Sequence, residues 1–335
     1  MDVLPIESTG GVVALQPGVV QGHFRGGRSN ETNYMIDGVS VQSGLNRGSM
    51  VSVDPDAVQE VEVITGTFSA KYGEAMSGVV NMVTKEGGDR FSGKVEGYMA
   101  NYLTQHNDIY MGLKASEIDR NEDYKFMFEG PILRNKLNFF VSGRVQDNDG
   151  YLNGVRRFNV WDEPDYSEFQ DSTNFDPVTG EYLLNENTGD STYVPMSWME
   201  AMNVNAKLTF RAQNIKASLM YLYNDGTGQG YSHGQMFKPD GRSRWHDRSD
   251  LWTLQLNHVL GQRLFYELKF SYTFSETGSY LYENPLDPRY LHDRYSANQS
   301  YTGFVTGGQD KGHSTNTTNK LLGRLDLTWQ ATNNH

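Results

Sequence analysis

The chain is short of three things. It has no cysteine among 335 residues, so no Cys/His constellation for nucleophilic catalysis exists, and the absence fits an exported protein. It has a deficit of positive charge, 29 Lys and Arg against 41 Asp and Glu for a net charge of −12, which argues against a nucleic-acid partner. It has no apolar run near the roughly 18 residues of a membrane-spanning helix, which excludes an α-helical membrane protein. Mean hydropathy is −0.61, with 37% hydrophobic residues. Neither value excludes a membrane β-barrel, whose strands dilute their apolar residues with polar lumen-facing ones. The start, Met1-Asp2 with Pro5, lacks the basic-then-apolar run of an export signal, so a leader is expected upstream of residue 1.

What is present is alternation. Leu264, Tyr266, Leu268, Phe270, Tyr272 and Phe274 share one parity, against Glu267, Lys269, Ser271 and Thr273 on the other. Similar strands are expected at Gly93–Leu103 (with a blurred parity), Tyr124–Phe128 ending at Gly130-Pro131, Leu137–Val145, Val204–Phe210, Ile215–Tyr223, Trp252–Leu256 and Leu321–Trp329. The connections alternate between tiny turns and long loops, as in a barrel with tight turns on one side of a bilayer and long loops on the other. Tyr223, Trp252, Tyr272 and Phe274 fall toward the long-loop rim, and Phe210 and Trp329 toward the turn rim, where interface girdles belong. Lys207, Lys216, Lys269, Arg324 and Asp326 take the inward parity.

Residues 1–90 differ from the strands that fill 91–335. A short helix or turn region ends at Pro17-Gly18, followed by strands at His23–Arg25, Asn33–Ile36, Val58–Ile64 and Val79–Thr84. Asp54 reads as a helix cap with Pro55 in the first helical position. The fold class expected is therefore an N-terminal α+β unit followed by antiparallel transmembrane β-barrel strands, about eight in number. A ninety-residue unit is roughly 30 Å across, and an eight-stranded barrel has room only for side chains. A larger barrel, of which these strands are part, is expected.

Five blocks carry a resemblance: His23-Phe24-Arg25-Gly26-Gly27-Arg28; Asn33-Tyr34-Met35-Ile36-Asp37-Gly38-Val39; Gln59-Glu60-Val61-Glu62-Val63-Ile64-Thr65-Gly66; Ala70-Lys71-Tyr72-Gly73; and Ser77 to Lys85 through Gly78 and Asn81. In order and spacing they resemble the plug domain of TonB-dependent outer-membrane receptors, and Gly130-Pro131-Ile132 is also similar to the family. The resemblance implies a 22-stranded barrel in the outer membrane of a Gram-negative cell, with the plug in its lumen. It further implies TonB as the partner on the periplasmic side, outer-membrane lipid around the barrel, and an extracellular solute as substrate. No TonB box precedes the plug blocks and the later strands are missing, so the chain is expected to be a piece of a transporter.

The same resemblance makes Arg25, Gly26, Asp37, Gly38, Glu60, Glu62, Tyr72, Gly73, Gly78 and Asn81 structural plug residues. It pairs the plug glutamates Glu60 and Glu62 with barrel arginines, with Arg144 and Arg324 as candidate partners. By position it makes Val41–Ser52 the apical loop, where Gln42, Asn46 and Arg47 are the candidate ligand contacts. Other clusters read as ordinary loop: the glycines of Gly226–Gly230, the acids Asp162, Glu163, Asp165, Asp171 and Asp176, and His233 and His246 around Trp245. No catalytic residue, metal site or cofactor is assigned, and the chain is not expected to be an enzyme. The expected function is uptake of a scarce bulky solute (siderophore, cobalamin, glycan or peptide), and the alternative is a binding or adhesion barrel without energised transport.

Overall fold

A computed structural model describes residues 9–16, 18–20, 23–24, 27–28, 31–44, 47–64, 77–162, 175–176, 181–182, 187–293, 295 and 303–331. The first unit holds helix α1 (Thr9–Ala14) and strands β1 (Val19–Val20), β2 (His23–Phe24), β3 (Thr32–Ile36), β4 (Val39–Ser40), β5 (Val58–Ile64) and β6 (Gly78–Thr84). A 3-10 turn, Pro55–Ala57, precedes β5. Strands β3 to β6 form one mixed sheet in the order β4-β3-β6-β5, with β3 and β6 parallel. Its core is Phe24, Ile36, Val41, Val51, Val53, Ala57, Val58 and Val80. Gly78 lies against Phe24: a Cβ there would sit 2.9 Å from the phenyl ring.

The remaining strands are β7 (Ser92–Ala100), β8 (Asn121–Leu133), β9 (Leu137–Asn148), β10 (Asn153–Val155), β11 (Phe175–Asp176), β12 (Glu181–Tyr182), β13 (Tyr193–Pro195), β14 (Trp198–Arg211), β15 (Ile215–Gln229), β16 (Arg244–Gly261), β17 (Leu264–Tyr280) and β18 (Ser314–Trp329). Eight of them make one antiparallel sheet in the order β18-β17-β16-β15-β14-β9-β8-β7. Among the described residues β7 and β18 each pair on one side only. The short turns and long loops alternate as the sequence predicts, and β10 pairs with β13 inside the long loop that follows β9.

The two faces of this sheet are inverted relative to a soluble protein. On β17 the apolar parity is open, with Phe270 56% exposed, while Lys269, Ser271, Thr273 and Ser275 on the polar parity are buried. The same holds for Trp252 and Leu254 against Ser249 and Thr253 on β16, and for Leu208 against Lys207 and Thr209 on β14. What buries the polar face is the N-terminal unit. Its core cluster continues into Phe140, Met220, Leu222 and Leu251, which point inward from β9, β15 and β16. A sheet that exposes its aromatics and hides its lysines against an inner globule is built for an apolar exterior.

Several strands run longer than the sequence reading, among them β14 from Trp198, β17 to Tyr280 and β18 from Ser314. β8 continues through Gly130-Pro131 to Leu133, with an irregularity between Pro131 and Leu133, because an edge-compatible bulge accommodates the missing amide hydrogen of proline. β15 runs on to Gln229 and β16 begins at Arg244, so Gly226 and Gly228 are strand residues rather than loop. The blurred parity of β7 has a steric cause. Gly93 and Gly97 take outward positions and lie under the rings of Phe128 and Tyr124 on β8. Glycine there gives the neighbouring aromatic a flat seat.

Candidate ligand vestibule and plug seat

The hairpin Asp37-Gly38 between β3 and β4 is the centre of the seat. Both residues have positive φ, 48° and 75°, as a two-residue hairpin of this kind requires. The turn brings the Asp37 carboxylate back onto its own sheet, where Oδ1 accepts from the Thr84 amide at 2.9 Å and Oδ2 from the Thr84 hydroxyl at 2.6 Å. Asn81 Oδ1 accepts from the Gly38 amide at 2.9 Å. Onto this knot come two barrel lysines. Lys207 Nζ of β14 reaches Asp37 Oδ2 at 2.9 Å, and the two side chains are 5% and 8% exposed. Lys269 Nζ of β17 donates to the Asp37 carbonyl at 2.8 Å. Gly38 is needed twice, since a Cβ would meet Lys269 Nζ at 2.6 Å.

A second contact is made by the 3-10 turn. Asp54 caps it, accepting from the Asp56 amide at 2.9 Å. Its other oxygen faces Arg144 Nη1 of β9 at 3.5 Å, with both side chains buried. Arg144 is also held by Asp123 of β8 in a two-pronged contact, 2.9 and 2.6 Å. Asp56 and Lys125 approach to 3.6 Å beside it. A cavity of about 240 Å³ opens at this seam, lined by Asp54, Asp56, Lys125 and Ser142 among others. The third contact lies at the short-turn rim. Glu86 pairs with Arg211 at 2.5 Å and Lys216 at 2.8 Å, with Lys207 at 3.8 Å. Burial pushes the Glu86 carboxyl up, but the Lys216 hydrogen bond and the charges of Lys207, Lys216 and Arg211 outweigh it and hold the group below its ordinary value.

The sequence-predicted positions are distributed as follows. Asp37, Gly38, Gly78 and Asn81 all lie in the seat or the sheet beneath it. Glu60 and Glu62 are on β5 and both exposed, and the arginines expected to meet them are engaged elsewhere: Arg144 with Asp54 and Asp123, and Arg324 with Asp326 at 2.7 Å. The expected pairing is corrected accordingly; the shorter aspartates of the cap reach the wall because the turn, not β5, abuts it. Gln42 is 2% exposed and its side-chain amide donates to the carbonyls of Thr32 and Arg47. It braces the apical loop from inside and is no surface contact. Arg47 is half-buried at φ 59°. Arg25, Gly26, Asn46, Tyr72 and Gly73 lie outside the described residues.

Of the loop clusters, Asp162 is buried and accepts from the amides of Asn159 and Thr188, so it ties loop segments together; Glu163, Asp165 and Asp171 lie outside the described residues. His233 meets the Tyr231 hydroxyl at 3.0 Å, and His246 stacks on Tyr280 at 4.1 Å. The structure does not bring the two together, and no group of three or more metal-ligating side chains occurs among the described residues.

Above the plug the inner face of the sheet is uncovered among the described residues, with Trp245, Asp247, Thr277 and Ser279 exposed, and this open face forms the floor and wall of a candidate vestibule. Asn224 of β15 donates to the Ser52 carbonyl of the apical loop at 3.2 Å and marks its floor. Two and four residues further along the same parity, Gly226 and Gly228 carry the indole of Trp245, with ring carbons 3.3 and 2.6 Å from where their Cβ atoms would be. Trp245 is 39% exposed. Sequence reasoning missed this platform by reading the glycines as loop. The available signal was their parity, opposite to Tyr221 and Tyr223.

Comparison with known proteins finds similarities that agree with one another. Residues 8–80 match the TonB-dependent receptor plug domain. Over 145 residues, 38% of the chain and 13% of the relative, the sequence is 29% identical to a TonB-dependent transporter, Oar, of Myxococcus xanthus. Over 138 residues, 38% of the chain and 17% of the relative, it is 31% identical to a ferric enterobactin receptor of Pseudomonas aeruginosa. The fold is similar to that of the FrpB iron transporter of Neisseria meningitidis, with a TM-score of 0.57 at 13% identity over 98% of this chain and 45% of that one. The chain thus spans less than half the length of these proteins.

Proposed function

We propose, from the premise that this chain belongs to the TonB-dependent outer-membrane receptors, that it forms the plug and the plug-seating wall of a receptor that binds a solute in the vestibule and imports it with energy delivered through TonB. The observation that carries this reading is the inverted sheet: lysines and hydroxyls buried against an inner globule, aromatics facing out. A pure adhesion barrel has no need of a globule held in its bore by buried charge. A transporter does, because the bore must be shut to leakage and opened on demand. The three ionic contacts, at Asp37, Asp54 and Glu86, hold the globule in place together with the apolar contact at Phe140, Met220, Leu222 and Leu251.

The test uses cells carrying the full-length receptor, offered ferric siderophores, cobalamin, oligosaccharides and peptides, with and without TonB. Accumulation of one solute only when TonB is present is the expected result. Surface binding with equal accumulation in both strains would overturn transport and leave a binding barrel.

A further inference from the structure

We propose that the vestibule takes a neutral, polyhydroxylated ligand of the oligosaccharide class, and that Trp245 is the platform on which one sugar ring stacks; the proposal rests on the receptor reading above. Glycine-backed aromatics recur in this sheet, but the others lie on the outer face: Phe126 against Gly143, Phe128 against Gly93, Tyr124 against Gly97. There the membrane rewards an exposed ring. Trp245 takes the inner parity, above the plug, in water. An indole left 39% exposed to water gains nothing from that exposure, and covering its free face with an apolar surface is favourable. Gly226 and Gly228 leave no side chain beside the ring and hold it flat, so little freedom remains to be lost on binding.

The polar groups around the platform decide what that surface belongs to. From β9 to β18 the inward positions above the plug include Gln146, Asn203, Asn224, Asp247, Thr277 and Ser279; the inward cations nearest them are Arg144 and Lys320, and Lys320 of β18 is engaged with the plug, donating to the Gln42 carbonyl at 3.0 Å. Arg144, the register partner of Asn203, is neutralised by Asp123 and Asp54. Arg244 and Arg248 take the outward parity, stacked over Trp198 and Tyr223. Arg47, on the plug apex, is half-buried. Amides, hydroxyls and a carboxylate between them donate to and accept from sugar hydroxyls. An anionic metal chelate would instead need a cationic lining, and a chain of net charge −12 repels it on approach.

Calorimetric titration of the purified full-length receptor, in a detergent without a sugar headgroup, tests this with maltoheptaose, xylohexaose and chitohexaose, and with ferric citrate as the anionic comparator. At least one oligosaccharide is expected to bind. Trp245→Ala is expected to weaken that binding about 10-fold or more, and Trp245→Phe by less than about 3-fold. Gly228→Val, which keeps the indole but displaces it, should match the alanine variant; circular dichroism checks that each variant is folded. Failure of all three sugars to bind overturns the proposal, as does unchanged affinity in Trp245→Ala. Energised uptake of a ferric chelate by cells whose receptor binds no sugar would overturn it while leaving the transporter reading intact.

Discussion

Removing one partner of the Asp37–Lys207 pair leaves the other charge buried. Both side chains are under a tenth exposed and lie 2.9 Å apart. Breaking such a pair from one side costs about 3–5 kcal/mol, whereas replacing both partners with uncharged groups of similar volume is near neutral. Lys207→Met strands the Asp37 carboxylate, softened by its two bonds from Thr84, so the lower end of the range applies. About 3 kcal/mol is more than 100-fold in an opening equilibrium. The assay is hydrogen exchange of the amides of β6 in the full-length receptor, which report local release of the plug sheet from the wall. Lys207→Met should speed their exchange by about 100-fold, and Asp37→Asn with Lys207→Met together should recover most of the protection. Exchange within about threefold of wild type in the single variant, or additive losses in the double, would refute the reasoning.

The outward face makes a second test: Phe270→Arg sets a charge against lipid and should cost about 2–4 kcal/mol of barrel stability, read by urea titration in bilayers. Gly78→Val pushes a side chain into the Phe24 ring, 2.9 Å from the Cβ position; overpacking of about 1–3 kcal/mol should lower the plug's unfolding midpoint without moving the barrel's. The rim contact depends on pH. Glu86 is depressed below its ordinary value of 4.5, so its contribution is complete above that value and is lost as pH falls through the lower native one. Plug release by denaturant should therefore become easier below about pH 4.5, and Glu86→Gln should flatten that acid limb.

The strand pattern was legible because lipid and lumen impose opposite demands on alternate residues. Leu264 to Phe274 states this within one segment, and the paired register of β17 with β18 follows it. The parity of β7 was not, since Gly93 and Gly97 derive their meaning from rings on the next strand. The candidate site was legible only where backbone geometry forces the residue. Asp37-Gly38 announces a turn, and Asp54-Pro55 a cap, but that these two carboxylates rather than Glu60 and Glu62 meet the wall depends on how the plug is docked. Trp245 shows the same limit, because its role is written in the parity of two glycines on the neighbouring strand.

The docking residues also do a second job inside the plug, and this makes the seam directional. Asp37 caps the end of β6 through Thr84, and Asp54 caps the 3-10 turn through the Asp56 amide. The carboxylates are therefore fixed before the barrel is met, and the wall supplies mobile-ended lysine or arginine to match. Exchanging the charges should fail for that reason alone. In Asp54→Arg with Arg144→Asp, the attraction across the seam keeps its sign, yet the turn loses its cap, at about 0.5–2 kcal/mol. Asp123 then faces a second carboxylate where it held a guanidinium. Arg144→Lys, by contrast, keeps both plug caps and gives up only the two-pronged contact to Asp123. Protection of β5 amides measured by hydrogen exchange should rank wild type above Arg144→Lys, and Arg144→Lys well above the swap. A swap that protects as well as wild type would show that the seam is held by charge alone.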